Sequence, residues 1–296
     1  MTESILCIGE VLWDALPAGL FLGGAPLNVA CHLHELGQNA RFASRVGDDE
    51  LGREILRRLQ RRGMATDLLQ RDDTLPTGFV IVSLDAAGSP AFEIVAPSAW
   101  DAIAQQDALM AQATAARAIV FGSLAQRGAT SRATIERLTA TDALCVFDVN
   151  LRPPFDTREV VEASLGNADV VKLNDDELGR LAEWFDLPAG LESGARGLAE
   201  KYPCATVCVT RGAAGAGLLH DGTWHEHAGF TIEVADAVGA GDAFLARLLA
   251  GLLAREPADT LLAAANALGA YVATCDGATP AHDTAAIAAQ GESNGA

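Results

Sequence analysis

Apolar and polar positions between residues 118 and 184 alternate between short apolar runs of strand length and longer segments with helical spacing. In chain order, the segments are Ala118 to Phe121, Ala129 to Leu138, Leu144 to Asp148, Glu159 to Leu165, Val170 to Leu173 and Asp175 to Trp184. This succession predicts a parallel sheet with helices on both faces. In such folds, ligands bind at the carboxyl ends of the strands.

The first 62 residues extend this pattern with a strand and two helices. The apolar run Ile5 to Gly9 predicts a buried strand that leads into a loop. Pro26 suits the first turn of a helix, and Val29 to Leu36 continues that helix to a stop at Gly37. Acidic residues precede Leu51 as they do in a first helical turn, so we predict a second helix over Leu51 to Arg62.

A second, smaller sheet is predicted from the segments that flank a turn. Gly78 to Leu84 and Ala91 to Val95 are apolar or alternating, and they enclose Asp85 to Pro90, which is rich in turn-forming residues. That arrangement is typical of a β-hairpin. Together with Glu10 to Leu22, the hairpin would form a small sheet separate from the main one.

The stretch Asp236 to Phe244 combines two glycines with acids just before Leu245 to Leu253, an apolar segment typical of a buried helix that starts near Ala240. Gly239 and Gly241 allow the backbone to approach a ligand, and the start of the helix offers unpaired N–H groups to an anion. Asp242 is expected to be ionised at neutral pH, so it could accept a proton from a hydroxyl. The spacing fits equally well a tight turn with Asp242 as a helix cap.

Other polar residues have an ordinary structural interpretation beside a functional one. Asp14 and Asn28 fit solvated side chains, with the glycines at 23 and 24 forming a turn between them. The segment Asn174 to Glu177 fits a helix cap followed by acids in the first turn. Arg152 lies near the end of a predicted strand, where it is a candidate to contact an anion.

Composition and charge narrow the function further. With 296 residues, half of them hydrophobic, the chain can form one large α/β domain or two smaller ones. It shows no run near the roughly 20 apolar residues of a membrane span and no signal peptide, so we expect a cytoplasmic protein without a membrane partner. The net charge of −18 argues against nucleic acid. An anionic substrate such as ATP would need a helix N-terminus, Mg²⁺ and arginines such as Arg152 and Arg211.

Motifs near both ends of the chain resemble one enzyme family. Residues 236–244, D-x-x-G-A-G-D-x-F, resemble the C-terminal signature of the ribokinase-like (PfkB) carbohydrate kinases. Ile-Gly-Glu-Val-Leu-Trp-Asp and Leu-Gly-Gly-Ala-Pro-Leu-Asn-Val-Ala are similar to the bacterial fructokinase branch, whereas ribokinases carry a lysine in place of Ala25. There is no G-x-x-x-x-G-K-[ST], and Phe244 occupies the third glycine position of a G-x-G-x-x-G template.

The resemblance implies a fold and an active site. The fold is a three-layer α/β/α domain with a mostly parallel central sheet, here one domain over residues 1–296, with a small β-sheet lid at about residues 10–22 and 78–96. Asp242 would be the catalytic base, Gly239, Ala240 and Gly241 the anion hole, and Arg152 a contact of the phosphate or sugar. The residues implied to hold the sugar are Asp14, Gly23, Gly24 and Asn28. Phe79, Phe92 and Trp100 are candidates to contact the sugar's apolar face, with core packing as the alternative for at least two of them.

The nucleotide and metal sites are implied in the same way. Asn174 and Glu177 match an N-x-x-E motif that organises Mg²⁺ through its waters, and Asp236 matches a position that helps to bind K⁺ in ribokinases. The residues that match the nucleotide site are Thr210, Gly212, Gly215 and Asn266.

The expected function is therefore an ATP-dependent sugar kinase, forming a homodimer, that phosphorylates a primary hydroxyl, with D-fructose at O6 as the leading substrate. Kinases of ribose, adenosine or 2-keto-3-deoxygluconate fit the same motifs. A sugar sensor without catalysis is a further alternative, against which the intact Asp242 argues.

Overall fold

The computed structural model describes residues 3–16, 19–84 and 90–292, and its strands form two sheets. In chain order, the strands are β1 (Ser4–Ile8), β2 (Leu12–Leu16), β3 (Gly19–Gly23), β4 (Ala40–Gly47), β5 (Leu69–Asp72), β6 (Gly78–Leu84), β7 (Pro90–Ile94), β8 (Ala116–Gly122), β9 (Leu144–Asp148), β10 (Val170–Asn174), β11 (Thr206–Thr210), β12 (Ala216–His220) and β13 (Thr223–His227). The larger sheet has nine strands in the order β13-β12-β11-β10-β9-β8-β1-β4-β5. It is parallel from β11 to β5, and β12 and β13 are antiparallel.

Helices cover both faces of the nine-stranded sheet. In chain order, they are α1 (Ala25–Glu35), α2 (Glu50–Arg61), α3 (Asp107–Ala115), α4 (Ala129–Thr139), α5 (Arg158–Leu165), α6 (Asp175–Phe185), α7 (Leu191–Lys201), α8 (Ala240–Ala254), α9 (Ala258–Ala273) and α10 (Thr284–Glu292). One apolar cluster packs α3 to α7 on the sheet, and a second packs α1, α2, α8 and α9 on the opposite face. The predicted three-layer α/β/α fold is confirmed.

Side chains of β1 show why the sheet needs two helical layers. Leu6 and Ile8 belong to one apolar cluster, whereas Ile5 and Cys7 belong to the other. Successive strand residues point to opposite faces, so an uninterrupted apolar strand requires cover on both sides. The same reasoning applies to β8 to β11, whose apolar residues are divided between the same two clusters.

The predicted elements agree closely with the structure. Strand β9 has the predicted bounds, and α4 and α6 each end one residue later than predicted. Helix α8 begins at Ala240, as predicted from the glycine-rich stretch before it. The strong periodicity of apolar residues and the turn-forming residues between segments thus predicted where these strands and helices lie.

The small sheet has the strand order β3-β2-β6-β7, with β2 and β6 parallel. The expectation of a loop after β1 was wrong in part, because β2 begins at Leu12 and pairs with both β3 and β6. The turn was predicted over Asp85 to Pro90, and residues 85–89 of it lie outside the described residues. Within the described ranges, no helix combines the length and the apolar character that crossing a bilayer requires.

Candidate active site

A cavity of about 1510 Å³ lies at the carboxyl ends of the parallel strands, between the nine-stranded sheet and the small sheet. It brings together nearly all the residues singled out from the sequence. Those that line it are Asp14, Gly23, Gly24, Asn28, Arg152, Asn174, Thr210, Gly212, Gly215, Asp236, Gly239, Ala240, Gly241, Asp242 and Asn266. The expectation that ligand-binding residues gather at this edge of the sheet agrees with this placement.

The start of α8 forms a backbone cradle in the cavity wall. Gly239 precedes the helix with φ of 80°, in the left-handed region, and among the described residues no side chain caps the helix start. A Cβ at Gly239 would overlap the carbonyl oxygen of Ala278, so only glycine fits both the conformation and the space. The first N–H groups of a helix lack partners within the helix, so this cradle suits an anion.

Asp242 lies in the first turn of α8 and is joined to the opposite side of the cavity. Asn28 Nδ2 donates a hydrogen bond of 2.8 Å to Asp242 Oδ2. Burial, followed by the negative charge of Asp148, raises the pKa of Asp242 to about 7, although Lys172, the Asn28 hydrogen bond and Arg152 act in the opposite direction. The carboxyl group therefore changes charge near neutral pH.

Lys172 and Asp148 form a buried ion pair behind the cradle, with Nζ and Oδ1 3.0 Å apart. A Cβ placed on Gly241 would lie 3.2 Å from Lys172 Nζ, so the ammonium group is adjacent to the start of α8. Burial opposes its charge, but Asp148, Glu177 and Asp242 together raise the pKa of Lys172. This lysine is not among the residues singled out from the sequence, although a lysine inside an otherwise apolar strand is a signal for a buried charge partner.

Glu10 is a second cavity residue that is not among those singled out from the sequence. Its side chain lines the cavity and is 2% exposed. Oε1 accepts a hydrogen bond of 3.3 Å from the backbone N–H of Ala25, while Oε2 is buried without a partner among the described residues. Burial raises the pKa of Glu10. The signal in the sequence was an acid placed directly after a buried strand.

Asp14 projects from β2 toward the two adjacent glycines. A Cβ on Gly23 would overlap Asp14 Oδ2, and one on Gly24, where φ is 118°, would overlap the carbonyl oxygen of Glu10. The pair of glycines therefore makes room for the carboxylate of Asp14 and for the chain beside Glu10. Burial raises the pKa of Asp14 to about 6, and Arg152 acts in the opposite direction.

Arg152 is the cation that three of these carboxyl groups share. Its positive charge lowers the pKa of Glu10, Asp14 and Asp242 against the effect of burial. The side chain is exposed, and Nη1 donates to the backbone oxygen of Leu151 at 2.8 Å. It follows β9, at the strand end where the sequence placed it.

Asn174 and Glu177 cap α6. Asn174 Oδ1 accepts the N–H of Glu177 at 2.7 Å, and Glu177 Oε2 accepts the N–H of Asn174 at 2.8 Å. The second oxygen, Oε1, accepts the N–H of Leu151 at 2.8 Å. Both oxygens of Glu177 thus fix backbone groups, and this side chain does not line the cavity, whereas Asn174, Asp175 and Asp176 do.

Trp100 requires a correction, because it does not reach the cavity. Its side chain is fully buried in the apolar cluster of the α3 to α7 face. The guanidinium of Arg127 lies 3.9 Å from its ring centroid on one side. Core packing, the alternative named for this aromatic residue, is the role that the structure assigns. The side chain of Phe92 lies outside the described ones, and Phe79 packs against the core.

The other end of the cavity is lined by Gly212, Gly215, Asp236 and Asn266. Gly212 and Gly215 have φ of 52° and 80°, and a Cβ on Gly215 would overlap the His227 carbonyl oxygen. Asn266 Nδ2 donates to the Leu262 oxygen within α9 at 2.8 Å. Asp236 accepts the N–H of Val238 at 3.0 Å and the N–H of Gly277 at 3.3 Å, so its carboxylate joins two loops.

Comparison with known proteins identifies relatives over nearly the whole chain. The model of the pfkB family carbohydrate kinases matches residues 11–285. A fructokinase from Klebsiella pneumoniae is 31% identical over 301 residues, covering 95% of this chain and 96% of the relative.

Two solved structures agree with this assignment. The fructokinase from Xylella fastidiosa with bound ATP has a TM-score of 0.83 at 26% identity, covering 98% of each chain. A double-mutant fructokinase from Vibrio cholerae O395, solved with fructose, ADP and a potassium ion, has a TM-score of 0.82 at 27% identity, covering 98% of this chain and 99% of that one.

Proposed function

The chain belongs to the pfkB family of carbohydrate kinases, and from this premise we propose that it transfers the γ-phosphoryl group of ATP to O6 of D-fructose. That it is a phosphotransferase acting on a sugar hydroxyl follows from the family and its fructokinase relatives. The observation that carries the finer proposal is the hydrogen bond between Asn28 and Asp242. It joins the segment that resembles fructokinases to the carboxylate beside the phosphate cradle.

Asp242 is proposed to act as the general base. With a pKa of about 7, it is ionised in an appreciable fraction of molecules at neutral pH and still basic enough to accept a proton. The donation from Asn28 Nδ2 engages Oδ2 and leaves Oδ1 for the sugar hydroxyl. Deprotonation would then proceed as the sugar oxygen attacks the γ-phosphorus and the bond from that phosphorus to the bridging oxygen of ADP breaks. ADP would leave with the electrons of that bond, and the proton would remain on Asp242 until the products depart.

Asp14 and Asn28 are proposed to hold the sugar hydroxyls. A carboxylate accepts two hydroxyl donors at once, and Asp14 is half-buried in the cavity wall with room made by Gly23. Asn28 Oδ1 is buried without a partner among the described residues, so it offers an acceptor aimed at a ligand. Glu10 Oε2 is in the same situation. An unpaired buried oxygen costs free energy, which a bound hydroxyl would offset.

The phosphoryl group is proposed to bind at the start of α8. The N–H groups that follow Gly239 would stabilise the charge that develops in the transition state, without any reorganisation at the moment of reaction. Lys172 Nζ lies beside Gly241 and would add a positive charge from behind. Arg152, which is exposed at the cavity, would neutralise the substrate's charge from the other side.

The residues present also fit the ions that the fold implies. Asn174, Asp175 and Asp176 place oxygen donors in the cavity, which suits a hydrated Mg²⁺, and Glu177 would act by fixing Asn174. The chemistry that Mg²⁺ supplies, when bound with ATP, is neutralisation of phosphate charge. Asp236 already accepts two N–H groups, so a K⁺ near it would rely on the loop carbonyls. Thr210, Gly212, Gly215 and Asn266 would line the nucleoside end.

Steady-state measurement of ADP release at saturating MgATP tests the proposal. The sugars are fructose, ribose, glucose, adenosine and 2-keto-3-deoxygluconate. We expect kcat/KM for fructose to exceed that for ribose by at least about tenfold, some 1.4 kcal/mol of differential transition-state binding. Ribose, adenosine or the keto acid as the best substrate would overturn the choice of fructose. Sugar binding without ADP release would overturn the proposal that the protein is a kinase. Equal rates after K⁺ is replaced by a bulky organic cation would contradict the proposed K⁺ site.

A further inference from the structure

Two histidines outside the proposed machinery connect the two ends of the cavity. His32 lies on α1 four residues after Asn28, so both project from the same side of the helix. His32 is fully buried, whereas His282, in the segment before α10, is partly exposed. Their rings stack with centroids 5.2 Å apart and planes 16° apart, and His32 Nδ1 lies 2.9 Å from His282 Nε2.

The other nitrogen of His32 reaches the loop that covers the phosphate cradle. His32 Nε2 is 2.9 Å from the carbonyl oxygen of Ala278. The same oxygen occupies the space beside Gly239 that a Cβ would need. Helix α1 therefore meets the start of α8 at two points, directly through Asn28 and Asp242, and indirectly through His32, Ala278 and Gly239.

The hydrogen-bond partners define the tautomers of both rings. A carbonyl oxygen can only accept, so His32 Nε2 carries the proton and His32 Nδ1 is the acceptor. His282 Nε2–H must then donate to His32 Nδ1. His282 thus holds His32 in the one neutral form that can donate to Ala278, in the way that a second residue orients a functional histidine.

The surroundings keep both rings neutral. Burial is the main cause that lowers the pKa of His32, to about 4, and Arg62, the residue that follows α2, adds to it. Burial and Arg62 also lower the pKa of His282, while Glu35 on α1 acts in the opposite direction. Arg62 ties the same loop to α2, since Nη2 donates to Thr279 O at 2.6 Å and to Oγ1 at 3.0 Å.

We propose that His32 and His282 are positioning residues, which hold Ala278 against Gly239 and so set the distance between the phosphate cradle and the sugar held by Asn28. The proposal rests on the kinase activity and on the cradle proposed above. Misplacement of reacting groups by about 1 Å lowers rates by as much as about 10², with little change in the binding of either substrate alone. Loss of the histidine pair should therefore lower kcat more than it raises either KM.

The variant His282→Leu removes the donor to His32 and keeps an apolar side chain over its ring. We expect kcat to fall by about tenfold, with KM for sugar and ATP within about threefold of the parent, as a loss of alignment predicts. His282→Gln, which can again donate to His32 Nδ1, should recover most of the rate. The matched control is His34→Leu, because His34 Nε2 makes a bond of similar length, 2.8 Å, from the same helix to Arg62 O.

Kinetics use the sugar that the parent phosphorylates best, so a wrong choice of fructose does not affect the result. Hydrogen exchange of the amides at 276–283 is measured on the same proteins, and it should quicken in His282→Leu but not in His34→Leu. A kcat of His282→Leu within twofold of the parent would overturn the proposal. So would an equal loss in His34→Leu, or a failure of His282→Gln to recover the rate, since a purely structural role predicts both. If the parent phosphorylates no sugar, the proposed function fails, and the exchange measurement alone decides this inference.

Discussion

The two ends of the cavity use different parts of the polypeptide. At the end formed by α1 and the small sheet, the groups in the wall are side chains: Glu10, Asp14 and Asn28. At the end formed by the loops after β11 and before α8, glycines at 212, 215 and 239 in the left-handed region bring the backbone to the cavity wall. The end at α1 and the small sheet thus offers carboxylate and amide side chains to a ligand. The end at the glycine loops offers backbone N–H groups and the room that the missing side chains leave.

This difference agrees with what each substrate requires. Recognition of a sugar depends on the positions of its hydroxyls, which directional side-chain acceptors can distinguish. A triphosphate requires many donors at short distance, and in a chain with a net charge of −18 backbone N–H groups supply them without more cations. Accordingly, the side-chain end carries Glu10 and Asp14, whose pKa values are raised, and the backbone end carries glycines at positive φ. Substitutions should act differently at the two ends.

The largest effect is expected where the two ends meet, at Asp242. Asp242→Asn should lower kcat by about 10²–10⁴, the range for lost general-base catalysis, with KM for ATP nearly unchanged. In the parent, kcat/KM should rise with pH up to about 7, because the raised pKa leaves Asp242 protonated and inactive below it. The variant should lack this dependence.

Steady-state rates between pH 5.5 and 9 check both statements, since the ionised form is the active one and dominates above the pKa. Turnover of Asp242→Asn within tenfold of the parent, or the same acid limb in both proteins, would contradict the assignment of the base. Thermal unfolding is the control for folding. Removal of a carboxylate whose ionisation is opposed by burial and Asp148 should not lower the stability at pH 8.

Gly239→Ala tests the backbone end. Alanine at φ of 80° costs about 1–2 kcal/mol, and its Cβ would displace Ala278 or the helix start. We expect kcat to fall on the order of 10² as the N–H groups leave their positions, together with a lower Tm. Gly37→Ala is the matched control, since Gly37 has φ of 73° and open space around its Cβ position. Equal kinetics of the two variants would mean that the cradle is not involved in catalysis.

A smaller effect, confined to the sugar, is expected at Asp14. Asp14→Ala should cost about 1.5–3 kcal/mol in kcat/KM for the sugar, about tenfold to over a hundredfold, as for hydrogen bonds to charged groups. KM for ATP should stay the same, because Asp14 belongs to the side-chain end only. Kinetics with each substrate varied in turn measure this contrast. An equal loss in kcat/KM for ATP and for the sugar would contradict the functional distinction between the two ends of the cavity.

Local patterns in the sequence determined most of the architecture. Apolar period and turn residues located the strands and helices from β8 to α6 because each of these elements buries its own side chains against the sheet. The cradle before α8 was also predictable, since a positive φ and a helix start both leave local signals in Gly239 and Gly241. Asp14 and the two glycines were identified by resemblance, and the structure explains their proximity by the space that Asp14 needs.

Only the tertiary structure decided which distant groups meet. Asn28 and Asp242 are 214 residues apart in sequence, and His32 and His282 are 250 apart. The sequence allowed Trp100 to face either a ligand or the core. In the structure it lies in the core, packed in an apolar cluster with Arg127 over its ring. Lys172 became part of the site through Asp148 on the neighbouring strand. Local patterns in the sequence report which secondary structure each segment prefers. The contacts named here depend instead on how distant segments pack against each other in the folded chain, and no single segment encodes that packing.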